Sequence, residues 1–198
     1  SNQWLDQNSI DFDNFEGYAD QTELDNSWLF TDGQDVTTTI TLMTSSSDAY
    51  RGTNAMRWEY EINHPGDSGG RWNKTFDNPT DLSEFDKLRI ATKVHPCSPE
   101  PLVLYVQILD PAGNNQVIAT YRVPEGTDDS PFAFPGQWVQ WNITLDDSLW
   151  EWSGSYNSFD QLTQVQGGQL QLGAVYGDEG DYIATIDIDD VKFLTVSS

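Results

Sequence analysis

The chain has 198 residues, of which 32 are acidic and 9 are basic, and its formal net charge is −23 at pH 7. This charge repels phosphate backbones and anionic lipid head groups, so we expect neither nucleic acid nor a membrane as a partner. It also disfavours sulfated or uronate-rich polymers, because their recognition requires Arg and Lys side chains. The expected ligand is therefore neutral or cationic.

A chain of this length fits one all-β domain, which we place at residues 1–198 with a core that covers about residues 10–194. Cys97 is the single cysteine, so no disulfide can form within the chain. One cysteine and two histidines do not support a Cys/His zinc site. No apolar run approaches about 18 residues, so we expect no transmembrane helix.

Short alternating runs, separated by clusters of Gly, Pro, Asn, Asp and Ser, predict about nine β-strands. In chain order they are residues 36–43, 54–62, 71–76, 87–94, 101–109, 116–123, 137–145, 169–176 and 184–194. Two other segments, 21–30 and 159–165, suit only short helical turns. Because the crossover helices of a parallel sheet are missing, the pattern predicts an antiparallel β-sandwich.

The first segment with this pattern, IDFDNFEGY at residues 10–18, mixes core residues with carboxylates. Its apolar residues change parity near Asp13, and those of the last predicted strand change parity at Asp189 and Asp190. Such shifts indicate β-bulges, and either register places a carboxylate against the core. A buried carboxylate must be protonated, paired with a base or bound to a metal ion.

Calcium is the metal that these side chains favour, since basic partners are scarce and Ca²⁺ selects carboxylate and carbonyl oxygens. Chain termini often lie close together, so Asp13, Glu16 and Asp189 could meet there. Backbone carbonyls of residues 47–54 would complete the ligand shell. The alternative is a solvated acidic rim without a metal ion.

The non-core positions of four predicted strands carry amides, one Arg, one Tyr and carboxylates rather than Lys and Thr. They include Arg57, Glu59, Tyr105, Gln107, Gln140, Asn142 and Gln171. Amides and guanidinium groups pair with sugar hydroxyls, and ring faces accept the C–H side of a pyranose. These positions therefore predict a polyhydroxylated ligand, although a solvated sheet face remains the alternative.

Five segments, in collinear order, resemble a known family. They are DFDNFEGYADQTELDNSW (11–28), YRGTNAMRWEYEI (50–62), DLSEFDKLRIATKV (81–94), GQWVQWNITL (136–145) and IDIDDVKFL (186–194). Together they resemble calcium-containing β-sandwich carbohydrate-binding modules with a galactose-binding-like jelly roll. The first segment is similar to the family opening "DFEGYxDxxxLxxxW", and the last is similar to its closing "I-D-D-V-x-L".

This resemblance implies a structural calcium ion held by Glu16 and Asp189, with backbone oxygens around Gly52 to Asn54. Asp13 is less certain as a ligand, because the family often has the shorter DFE where this chain has DFDNFE. Modules of this family are typically non-catalytic and bind a glycan on a concave sheet face or on adjoining loops. We therefore expect a secreted, monomeric module, part of a larger polysaccharide-degrading enzyme, that binds a neutral β-linked polysaccharide.

Three tryptophans are predicted platforms for a sugar ring. Trp72 follows two glycines, and Trp150 and Trp152 lie in a segment rich in Ser, Gly and Asp. Exposed rings of this kind usually mark a binding surface. The apolar parity of Trp58 and Trp141 instead predicts core positions, and the family pattern implies a packing role for Trp28 and Trp138. Tyr105, Tyr121 and Tyr176 are further ring candidates, and packing at a sheet edge is the alternative for each of them.

Two other functions stay open. A jelly-roll glycosidase or lyase would need two carboxylates facing each other across a cleft, a role imaginable for Glu59 and Glu61. No E-x-D-x-x-E run supports this reading, and with only His64 and His95 no nucleophile with a His partner is evident. A structural or adhesive surface module is the third possibility, and it would bind no glycan.

Overall fold

The computed structural model describes residues 6–31, 36–62, 69–96, 102–110, 116–122, 130–174 and 182–196. The strands are β1 (Asp6–Asp13), β2 (Leu29–Thr31), β3 (Val36–Met43), β4 (Ala55–Ile62), β5 (Gly69–Thr80), β6 (Lys87–Val94), β7 (Leu102–Leu109), β8 (Val117–Arg122), β9 (Trp138–Thr144), β10 (Glu151–Trp152), β11 (Val165–Ala174) and β12 (Tyr182–Val196). One α-helix, α1, covers Gln21–Ser27, and short 3₁₀ turns lie at Leu82–Glu84, Pro131–Ala133, Asp147–Leu149 and Phe159–Gln161. Among these described residues, no helix is long and apolar enough to cross a membrane.

The strands form two antiparallel six-stranded sheets, which confirms the predicted β-sandwich. Sheet A has the order β3-β4-β12-β6-β9, and β1 pairs with the C-terminal half of β12. Sheet B has the order β10-β8-β7-β11-β5-β2. The first and last strands of the described chain therefore belong to sheet A, where β1 and β12 lie side by side.

The inner faces of the two sheets enclose one hydrophobic core. Trp58 and Trp141 are buried, as the apolar parity of their strands predicts, and Trp28 is also fully buried. Thr38 joins the layers, because its Oγ1 accepts hydrogen bonds from Trp58 Nε1 of sheet A at 2.8 Å and from Trp72 Nε1 of sheet B at 3.0 Å. Burial of large aromatic rings is the main source of stability in such a core.

The predicted register breaks are present in both terminal strands. The pairing of β1 with β12 shifts between Asp11 and Asp13, and the pairing of β12 with β6 shifts between Asp189 and Lys192. At these bulges the carboxylates of Asp13, Asp189 and Asp190 become buried rather than solvated.

Candidate functional site

Two rows of residues cross sheet B at right angles to its strands, on the side away from the core. Cross-strand pairing sets the first row as Thr31, Arg71, Gln171, Tyr105 and Arg122, and the second as Leu29, Asn73, Gln169, Gln107, Thr120 and Glu151. Trp72 and Val106, which lie between the two rows along β5 and β7, are buried in the core, and Asn73 of the second row is also buried. We call this surface the sheet B rows.

The first row places two guanidinium groups on either side of a tyrosine. Arg71 and Arg122 are three interstrand spacings apart, or roughly 14 Å. The Arg122 guanidinium lies over the Tyr105 ring, 5.2 Å from its centroid, which gives a cation–π contact. Gln171 occupies the register position between Arg71 and Tyr105, but its side chain lies outside the described part of the structure.

The second row adds amide and hydroxyl groups and one carboxylate. Gln107 Nε2 donates to Thr120 Oγ1 at 3.3 Å, and Arg122 Nε lies 3.3 Å from Glu151 Oε1. Both partners of this ion pair are more than half exposed, so it contributes little to stability and can exchange for ligand contacts. Among their described side chains, the sheet B rows thus offer guanidinium donors, the bifunctional amide of Gln107 and the half-buried phenol ring of Tyr105 along one strip.

The prediction that all polar candidates share one sheet face is wrong. Tyr105, Gln107 and Gln171 belong to sheet B, whereas Arg57, Glu59, Gln140 and Asn142 lie on β4 and β9 of sheet A. Their outer faces point in opposite directions, since the core lies between the sheets. Alternation along each strand identified the polar side, but it carries no information about which sheet a strand joins.

On sheet A two of the candidate side chains, Arg57 and Asn142, pair with residues of neighbouring strands. Asp187 of β12 is fully buried and accepts from Arg57 Nε at 2.9 Å and Arg57 Nη2 at 3.2 Å. The hydrogen bonds that Arg57 donates to Asp187 raise the pKa of Arg57. His95 Nε2 lies 2.8 Å from the second Asp187 oxygen. Asn142 Oδ1 accepts from Arg89 Nε at 2.8 Å, so this residue also serves a cross-strand contact.

The expectation that Trp72 presents an exposed ring is wrong. Its side chain is 9% exposed, its indole N–H donates to Thr38, and its ring lies 5.5 Å from Phe30. The β5 alternation points Trp72 inward, together with Lys74, whose ammonium group donates to the Phe12 carbonyl at 2.8 Å. The inward Lys74 obscured the alternation of β5, which places Arg71 on the exposed side. Asn73 has the same parity as Arg71 but is buried.

Trp150 is buried as well, at 4% exposure, which corrects its predicted role as an exposed platform. Its Nε1 donates to the Thr144 carbonyl at 3.0 Å, and its ring packs against Tyr121 and Phe159. The segment folds back on the sandwich because two 3₁₀ turns, capped by Asp146 and Ser158, reverse the chain. Folding back buries apolar rings even in a segment rich in Ser and Gly.

Trp152 and Trp138 are half-buried rather than fully enclosed. Trp152 Nε1 donates to the Asp147 carbonyl at 2.9 Å, and its ring meets Phe159 edge-on at 5.0 Å. Trp152 lies on β10 at the edge of sheet B, where it pairs with the buried Ala119 and packs against the core, on the side opposite to Glu151 of the sheet B rows. Trp138 packs against Tyr50 on sheet A, with ring centroids 5.9 Å apart.

Asp13 is the centre of a buried hydrogen-bond cluster. It accepts from Phe15 N at 2.8 Å, from Tyr18 OH at 2.5 Å and from Trp28 Nε1 at 2.8 Å. Burial and the Asp13 carboxylate together raise the pKa of Tyr18. These three donors satisfy the carboxylate and hold the first turn after β1 against α1.

Glu16 and Asp189 both contact the loop of residues 50–54, but they accept hydrogen bonds from its backbone N–H groups, whereas the resemblance implied backbone oxygens facing a metal ion. Glu16 Oε1 accepts from Thr53 N at 2.9 Å and from Asn54 N at 2.8 Å. Asp189 Oδ2 accepts from the backbone N–H groups of residues 50 and 51, each at 3.0 Å. Gly52 has φ of +72°, and a Cβ there would lie 2.4 Å from Glu16 Oε1, so this loop position requires glycine.

The donor set around this loop is compatible with a hard cation. Burial raises the pKa of Asp189 to about 6, and Asp190 Oδ2 is buried without a hydrogen-bond partner, 3.5 Å from Arg51 and from Lys192. Within the described residues, no group of three or more His, Cys, Asp or Glu side chains could hold a metal ion. An ion beside Glu16 and Asp189 would therefore depend on backbone oxygens, and calcium stays a prediction.

No protein-family model matches the chain, and no curated protein matches it. Solved structures match its fold. The family 11 carbohydrate-binding module of a cellulosomal cellulase of Clostridium thermocellum has a TM-score of 0.60 and 13% identity, over 96% of this chain and 95% of that one. A family 28 module described as specific for non-crystalline cellulose has a TM-score of 0.53 and 15% identity, over 84% and 86%.

The same fold also occurs as one part of larger enzymes. An exo-β-agarase matches with a TM-score of 0.53 and 13% identity, over 96% of this chain but only 24% of the agarase chain. At these identities the likeness shows the β-sandwich fold of carbohydrate-binding modules. What the chain binds has to be argued from its own side chains.

Proposed function

We propose that this chain is a non-catalytic carbohydrate-binding module that holds a single chain of a neutral β-linked polysaccharide on the sheet B rows. The observation that carries the proposal is the composition of these rows. Arg71, Tyr105, Gln107 and Arg122 supply donors, acceptors and a ring along one strip, which is what a polymer of hydroxyl groups requires.

The geometry favours a glycan that runs across the strands. Both rows extend from β2 to β8, the second row continues to β10, and Arg71 and Arg122 mark a strip roughly 14 Å long between them. Exposed and half-buried side chains alternate with core residues along every strand, so the strip is continuous only in the cross-strand direction. With one ring and a few hydrogen bonds, we expect dissociation constants on the order of 10 µM to 1 mM.

The enzyme alternative is less well supported by the same surface. General acid–base hydrolysis of a glycoside needs two carboxylates on either side of the bond. Among the described side chains of the two rows, Glu151 is the one carboxylate, and it pairs with Arg122. We therefore propose binding without hydrolysis, as part of a larger secreted enzyme that the module directs to its substrate.

Affinity electrophoresis tests this proposal with mixed-linkage β-glucan, xyloglucan, mannan, xylan and an agar-type galactan in the gel. We expect at least one polymer to retard the protein, and the variant Tyr105→Ala/Gln107→Ala to migrate freely. Gln140→Ala/Asn142→Ala removes side chains of the opposite face and should be retarded like the parent protein. Retardation lost only in this control variant would refute the site, and release of reducing sugar would refute the non-catalytic role.

We also propose that a calcium ion beside Glu16 and Asp189 stabilises the join between β1 and β12. An ion that binds only the folded state raises the melting temperature. Chelation should therefore lower the melting temperature without unfolding the protein, and added Ca²⁺ should restore it where Mg²⁺ does not. If neither chelator nor added Ca²⁺ changes the melting temperature, no calcium ion stabilises this fold.

A further inference from the structure

A second concave surface lies at the edge of the sandwich, away from the sheet B rows. It is a groove of about 440 Å³ between β1, the C-terminal half of β5 and the turn that follows β5. This volume falls in the range of small-molecule sites. Nothing in the proposed function uses this groove.

The groove has an aromatic floor. Phe76 and Phe85 line it, and both rings also pack on Phe193, with centroid distances of 5.9 Å and 6.4 Å. Core packing therefore fixes the two rings, while their half-buried state leaves part of each ring accessible. A rigid apolar floor favours a ligand with a flat C–H surface.

The rim of the groove is acidic. Asp11, Asp77, Asp81 and Glu84 line it, and no Lys, Arg or His is among its lining residues. Asp81 accepts from Ser83, and Asp11 accepts from Asn14 at 3.3 Å. Asp77 and Glu84 are exposed, and within the described part of the chain no side-chain hydrogen bond or ion pair engages either carboxylate. These two acceptors are available to a ligand.

We propose that this groove binds a protonated amino sugar, that is, a glucosamine unit of a cationic polysaccharide. The C–H face of the ring packs on Phe76 and Phe85. Its ammonium group pairs with Asp77 and Glu84, and its hydroxyls donate to the remaining acceptors of the rim. An N-acetylated sugar has the same ring but no charge, so it loses the pairing that this rim provides.

Isothermal titration calorimetry with a glucosamine tetrasaccharide tests the proposal, at low salt and a mildly acidic pH that keeps the amine protonated. Asp77→Asn/Glu84→Gln removes two charges from the groove. Asp48→Asn/Asp160→Asn removes two exposed charges elsewhere and is the matched control. Since a charge-assisted hydrogen bond is worth tenfold or more in affinity, we expect the groove variant to bind about tenfold more weakly and the control to change less than about twofold.

Three results would overturn the proposal. Equal weakening in both variants would mean that the net charge of −23 attracts the ligand without a site. If the parent protein binds the N-acetylglucosamine tetrasaccharide as tightly as the glucosamine tetrasaccharide, the ammonium charge plays no role. If the parent protein does not bind the glucosamine tetrasaccharide, the groove is not a site for it. Tyr105→Ala/Gln107→Ala should keep its affinity for the glucosamine tetrasaccharide, so failure of this site and failure of the sheet B rows are distinguishable.

Discussion

The outer faces of the two sheets carry similar kinds of residue but use them differently. On sheet A, the buried Asp187 carboxylate holds Arg57 and His95, and Arg89 donates to Asn142. On sheet B, Arg71 is exposed and makes no hydrogen bond or ion pair within the described chain. Sheet B also has cross-strand contacts, but its Arg122–Glu151 ion pair is exposed and a ligand can displace it, whereas the Asp187 carboxylate of sheet A is buried and must keep its partners.

The large aromatic rings that lie between the two outer faces belong to the core. Trp150→Ala should lower the free energy of unfolding by about 3–5 kcal/mol, because it leaves a cavity beside Tyr121 and Phe159. Urea denaturation followed by circular dichroism measures this loss, and the half-buried Trp152 should cost less when truncated. If Trp150→Ala keeps normal stability but no longer binds glycan, the ring is a binding group and our placement is wrong.

A pair of Arg→Met variants tests the two faces directly. Arg57→Met leaves the buried Asp187 with His95 alone, so we expect a loss of about 2 kcal/mol in unfolding free energy and no change in glycan affinity. Arg71→Met removes an exposed, unpaired group, so stability should change by less than about 0.5 kcal/mol while affinity falls. Denaturation measures the stability of both variants, and calorimetry measures their glycan affinity. If Arg57→Met weakens glycan binding while Arg71→Met lowers stability, the roles of the two faces are reversed.

A smaller effect should follow from Asp189 on sheet A. Burial raises its pKa to about 6, above about 3.9 in the unfolded chain. The folded state therefore holds this proton more tightly, and the resulting stability is present below about pH 4 and lost as the pH rises to about 6. In buffer with chelator, the melting temperature of the parent protein relative to Asp189→Asn should fall across this window, and parallel curves would contradict the assignment.

Much of the fold follows from local pattern. Alternation placed the long strands, and the parity shifts at Asp13 and Asp189 predicted both bulges. The strands β2 and β10 were missed, since three and two residues are too short to show alternation. The family resemblance implied that Glu16 and Asp189 lie near residues 52–54. Both carboxylates do contact the loop of residues 50–54, but through its backbone N–H groups, so their role as metal ligands stays a prediction.

The candidate site was less predictable, because it depends on contacts between distant strands. Which strands share a sheet is decided by long-range pairing, so Gln107 and Gln140 could not be assigned to opposite faces from their own segments. Arg122 and Glu151 were missed because their pairing needs β10, which is too short to recognise. If the inward orientation of Trp72 had been recognised, the alternation along β5 would have assigned Arg71 and Asn73 to the two rows.

The most direct test of the central claim is a backbone-amide NMR titration with an oligosaccharide of whichever neutral β-glycan retards the protein. Our account predicts that the largest shift changes follow the sheet B rows, at residues 71–73 of β5, 105–107 of β7 and 120–122 of β8. Residues 57–59 of β4 and 140–142 of β9 should stay near their free positions. Shift changes concentrated on those sheet A strands, with β5, β7 and β8 unaffected, would contradict it.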